Sequence, residues 1–167
     1  MFGLCSCNRL PILPATVCIL TLHTITQTFS QTQCTSFKKE LYQGIHDLST
    51  DTIYIALYTG NANLNADTTA YSTALTGQVA SGSGYTTGGQ ALTGVSISSS
   101  GYTAYVNWAN VSWTGAITAR CALIYNVTKA NRAIAVIDFG ADKTSMTTFL
   151  ITMPNNTSTT ALIRSSN

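Results

Sequence analysis

The segment ITARCALIYNVTKANRAIAVIDFG, residues 117–140, constrains the fold more than any other stretch of the chain. Two apolar runs of strand length flank the polar connection NVTKANR, and both are rich in the β-branched and aromatic residues that fit a pleated surface. Such a pair reads as an antiparallel hairpin. Ile117, Ala119, Cys121, Leu123 and Tyr125 share one face of the first strand, as Ala133, Ala135, Ile137 and Phe139 do in the second. The register that joins the two sets pairs 125 with 133, 123 with 135, 121 with 137 and 119 with 139. It also sets Arg120 opposite Asp138 on the outer face. A slip by one residue would bury Arg132 and Asp138 in the apolar layer, which costs far more than it gains. The two mid-strand charges are therefore expected to be a cross-strand pair rather than the remains of a catalytic site.

The surrounding sequence extends the same theme. In CTSFKKELYQGIHDL, Phe37, Leu41, Ile45 and Leu48 recur at helical spacing, with Thr35 or Ser36 as the expected N-cap and the end at 49–51. TIYIALY (52–58) alternates as a strand. Residues 60–94 form a long Gly, Asn, Thr and Ser excursion, with one short strand expected near GYTTGGQAL; its length suggests a functional or docking element. Strand signals recur at 95–98, 102–109, 110–113, 146–153 and 160–164. One helix followed by many short strands predicts a mainly β fold, an antiparallel β-sandwich (jelly-roll-like) with one N-terminal helix.

Composition narrows the function classes. The chain has 167 residues, enough for one domain with a real core. Charged residues make up only 8%, and 28 threonines supply much of the polar surface. That is the reverse of a disordered chain. A net charge of +2, with Lys38 and Lys39 the only adjacent pair, gives no nucleic-acid footprint. Residues 1–33 differ from the body, residues 34–167. NRLPILPATVCILTL is too short, and too interrupted by Pro11 and Pro14, for a membrane-spanning helix. It reads as a signal peptide, a weakly ordered tail, or an extension from a misassigned start, and the domain is expected to fold without it.

Chemistry-bearing residues are sparse. Of the five cysteines, Cys5, Cys7 and Cys18 lie in the leader, and no C-x-x-C pair suggests zinc. Cys121 reads as a small packed residue, with a disulfide to Cys34 as the alternative. Six carboxylates include one glutamate, Glu40; the histidines are His23 in the leader and His46 after the helix. Asp47 and Asp51 follow His46 and could orient its ring, though a surface cap is the plainer reading. There is no nucleophile elbow, Walker loop or zincin motif, and the Gly-rich SGSGYTTGGQALTG (81–94) lacks the following Lys-Ser/Thr of a phosphate loop. No catalytic, metal or cofactor site is expected, and the glycosylation triplets at Asn110, Asn126 and Asn155 read as chance matches in a Thr-rich chain.

Taken in order, CTSFKKELYQGIHDL, IYIALYTGNANL, GYTTGGQALTG, ITARCALIYN and NRAIAVIDFGADKT resemble a family of small tailed-phage virion structural proteins, across about Gln33 to Pro154. The resemblance implies a non-enzymatic component, associated with the capsid or with the tail or its fibres, and brings no catalytic residues. It implies coat, tail or self-association partners and location in the virion. Members of that family begin near the segment matching Cys34, which favours an added tail or misassigned start for residues 1–33, and Cys121 stands where Gly or Ala is expected. The alternative is a secreted carbohydrate-binding sandwich, with Tyr54, Tyr58, Tyr71, Tyr85, Tyr102, Tyr105, Trp108 and Trp113 as its aromatic platform.

Overall fold

A computed structural model describes residues 29–166; the leader's Cys5, Cys7, Cys18 and His23 and its apolar stretch lie outside them. The chain folds as β1 (Ser30–Gln33), α1 (Thr35–Tyr42), β2 (Ile53–Tyr58), β3 (Gln90–Ala91), β4 (Ser96–Ser100), β5 (Thr103–Asn107), β6 (Val111–Thr114), β7 (Ile117–Asn126), β8 (Arg132–Ser145), β9 (Thr148–Ile151) and β10 (Ile163–Ser166). All named pairings are antiparallel, in a five-stranded sheet β1-β8-β7-β2-β3, a three-stranded sheet β10-β5-β4 and a two-stranded sheet β6-β9. The fold is mainly β and sandwich-like, with the one helix near its start, as expected.

The ordered fold begins before Cys34. β1 forms the edge of the large sheet, pairing Gln31 with Ile137 and Gln33 with Ala135. The side-chain amides of Gln31 and Gln33 donate to the carbonyls of Ala161 and Arg164, tying this edge to the C-terminal strand. The boundary drawn at 33/34 is thus corrected: TQ and SQ carry no apolar signal, yet their backbone extends the sheet.

The helix is shorter than its periodicity suggests. Cys34, not Thr35 or Ser36, occupies the N-cap position and offers no side-chain cap. At the other end Gly44 takes φ +65, the Ile45 N–H reaches the Glu40 carbonyl and the Gly44 N–H reaches that of Leu41. This closure leaves no further helical turn, because a left-handed residue reverses the chain. Gly44 ends the helix before residues 49–51.

The hairpin at 117–145 is corrected in register. Tyr125 faces Ala133 as expected, but Ile124 then faces Ala135, Leu123 faces Val136 and Cys121 faces Asp138. Ile134 is the extra residue of a bulge, and a second, larger irregularity separates Cys121/Asp138 from Ala119/Lys143. Face matching failed because it assumed one wet face. Residues 121–126 and 133–137 are all buried, so both faces of this part of the sheet are covered and a one-residue shift exposes nothing apolar.

The second cover is the excursion 60–94. Tyr71 stacks on Tyr125 at 4.4 Å, and the Tyr85 hydroxyl accepts the Leu57 N–H at 2.9 Å. Gly84 and Gly115 let two backbones meet. A Cβ on the first would lie 1.6 Å from the Thr114 carbonyl oxygen, and on the second 1.7 Å from that of Ser83. Gly84, like Gly89 against the Ile55 carbonyl, therefore serves close backbone packing. The segment thus has a structural role of its own in covering the sheet. Asn126, on the opposite face from Tyr125, lies under α1 and the loop after it.

Candidate functional site

Beneath the helix runs a chain of buried polar groups. His46 Nε2 lies 2.8 Å from Glu40 Oε2, and its Nδ1 lies 3.0 Å from Asn126 Nδ2. The same Asn126 nitrogen donates to Asp51 Oδ2 at 2.7 Å, while Asn126 Oδ1 accepts the Lys129 N–H at 3.1 Å. Arg132 pairs with Glu40, and Lys129 Nζ lies 3.5 Å from Asp51 Oδ1. These contacts fix the protons. Asn126 must present its NH₂ to Asp51 and its oxygen to a backbone donor, so it donates to His46 Nδ1. The imidazole then carries its hydrogen on Nε2 and donates it to Glu40.

That assignment commits both ring nitrogens of His46 to its neighbours. Neither ring nitrogen keeps a free lone pair for a nucleophile's proton. The arrangement clamps the helix, the loop 45–52 and the β7–β8 turn together. The sequence reading of His46 as a surface cap is corrected: its side chain is fully buried, and Asp51 reaches it only through Asn126. Burial raises the Asp51 carboxyl, but the hydrogen bonds from Asn126 and the Asp47 N–H, with the Lys129 charge, outweigh it and hold the group below the usual carboxylate range. Glu40 and Asn126 were not singled out as His46 partners by sequence, since they stand 6 and 80 residues away.

Arg120 and Asp138 meet as expected, although not in the expected register: Arg120 Nε lies 3.3 Å from Asp138 Oδ1 and both side chains are largely exposed. Arg120 sits at the second irregularity, which brings it alongside Asp138 from the neighbouring position. The pair borders a recess of about 240 Å³ with Thr59, Gly60 and Cys121. Cys34 and Cys121 are both free and buried, with no disulfide between them. Burial, then the nearby Asp138 charge, pushes the Cys121 thiol up to about 11, and burial followed by Glu40 does the same for Cys34. Both thiols are poor nucleophiles at neutral pH.

The aromatic platform does not assemble. Tyr58, Tyr85, Trp108 and Trp113 are buried, and Tyr85, Trp113 and Phe149 pack in sequence. Tyr54 and Tyr71 pack on Tyr125. Of the eight, only Tyr102 is widely exposed, at 88%.

What remains open is the small sheet. All five residues of β4 are exposed, and it is the last strand of β10-β5-β4. The register places Ile97 opposite Val106 and Val106 opposite Ile163, so the three make one apolar row across the sheet. That row lines a groove of about 570 Å³ shared with Phe37, Leu41, Tyr42 and Leu48 from the helix and the loop that follows. Lys38 and Arg164 are its only charged lining residues. Ile97 is 56% exposed and Tyr42 93%. Among the described residues no group of His, Cys, Asp or Glu could hold a metal ion, and no helix is long and apolar enough to cross a membrane.

Comparison with protein-family models, curated proteins and solved structures gave no match.

Proposed function

We propose that the protein is a non-enzymatic structural subunit of a tailed-phage virion, decorating the capsid or built into the tail or its fibre apparatus. It works by docking on coat or tail proteins and on copies of itself. The ordered resemblance across residues 33–154 motivates the virion setting. The observation that carries the assembly role is the exposed β4 edge with its apolar groove. A strand edge offers unpaired backbone donors and acceptors, and monomeric proteins usually blunt it with charge, proline or a cover. Residues 94–107, GVSISSSGYTAYVN, contain neither a charge nor a proline. The carbohydrate-binding alternative loses its main support, because six of its eight aromatic residues, all but Tyr102 and Tyr105, are spent on packing.

Mass spectrometry of purified particles from a host that encodes this chain tests the reading. The expected result is a multicopy peptide set from residues 29–166. Particles that lack the protein, from cells that contain it, would overturn the virion assignment.

A further inference from the structure

We infer that β4 is a self-association edge, on which two copies of this chain pair antiparallel about a two-fold axis at Ile97. The inference rests on the assembly reading above and names the partner surface.

Three observations converge on this occupant. All five residues of the edge are exposed, with the Asn156 side-chain amide donating to the Ser96 carbonyl and hydroxyl at its start, and the natural cover for the remaining edge is another extended strand. The strand itself carries no charge, so a second β4 pairs with it without opposing like charges, while the two cations of the groove, Lys38 and Arg164, lie on the helix and on β10. An isologous contact needs only one surface, and this surface is self-complementary. Centring the axis on Ile97 sets Ile97 against Ile97 of the second copy and Ser96 against Ser98. The apolar row then continues unbroken through Ile163, Val106 and Ile97 of both copies. Centring it on Ser98 would oppose Ile97 to Ser99 and lose that apolar pair. The groove beside Ile97 gives the incoming side chain an apolar wall in Leu41 and Tyr42.

Sedimentation equilibrium on the full chain tests the pairing. The wild type is expected to dimerise. Ile97→Lys opposes two like charges across the axis and should weaken dimerisation at least about tenfold, with an unchanged circular-dichroism spectrum and the melting temperature of the wild type at dilutions where the wild type is monomeric. Met146→Lys, on the exposed turn between β8 and β9, should leave the dimer intact. Should Ile97→Lys fail to fold, Ser99→Lys places the charge on the same face without removing an apolar side chain and carries the same expectation. A wild type that stays monomeric overturns the inference, as does a folded lysine variant that dimerises like wild type. A monomer found in many copies in particles would sink this edge but keep the virion reading; a β4 dimer absent from particles would do the opposite.

Discussion

β7–β8 and β4–β5 are both antiparallel hairpins, and they are finished in opposite ways. The first is covered on one face by the excursion 60–94 and on the other by the helix and its loop, so that residues 121–126 are buried without a break. The second has a fully exposed edge strand and an apolar row that ends in the open at Ile97. The long excursion, whose composition suggests a surface loop, is spent on sealing the large sheet. The Ser-rich β4, whose composition suggests nothing, is an exposed edge strand, and it is the surface we propose for self-association. The one-residue bulge at Ile134 sits where both faces of the hairpin are buried, whereas the larger irregularity falls where β8 is exposed, at Gly140–Asp142.

If that division is right, substitutions should fall into a clear order. Leu123→Ala opens a cavity in the sealed hairpin and is expected to cost about 2–5 kcal/mol in chemical denaturation. Asn126→Ala strands His46, Asp51 and the Lys129 N–H beneath the helix, with an expected cost of about 1–3 kcal/mol. Gly84→Ala forces a Cβ onto the Thr114 carbonyl at φ +81 and should cost more than about 1 kcal/mol, although it lies in a loop. Arg120→Ala removes an exposed pair and should cost less than about 1 kcal/mol. A loss of several kcal/mol from Arg120→Ala, or none from Gly84→Ala, would break the comparison.

The polar clamp adds a pH signature. Asp51 is held below its unfolded value, which is about 3.9, so its contribution is present above that pH and is lost as pH falls toward the lower folded value. Stability measured against pH should decline there in the wild type, and part of that decline should vanish in Asp51→Asn.

The sequence made some of this legible. The β7 and β8 runs, the strand at 53–58 and the helix at Phe37 could be read from periodicity, and Arg120 could be paired with Asp138. The register could not, because alternation reports a wet face and this sheet has none over its centre. The helix end was missed because the apolar periodicity runs on through Ile45 and Leu48, past the left-handed Gly44 that closes the helix. β1 was missed because SQTQ pairs through its backbone alone. The buried chain through Glu40, His46, Asn126 and Asp51 joins residues far apart in sequence, and only the fold brings them together. The exposure of β4 was not legible either, because strand edges depend on sheet order, which the sequence pattern does not give.

Hydrogen exchange on the full chain at low and high protein concentration tests the division most directly. Amides of β7 are expected to exchange only with global unfolding at either concentration. Amides of β4 that point away from β5 should exchange rapidly when dilute and gain protection when concentrated. Equal, concentration-independent protection in β4 and β7 would contradict the account.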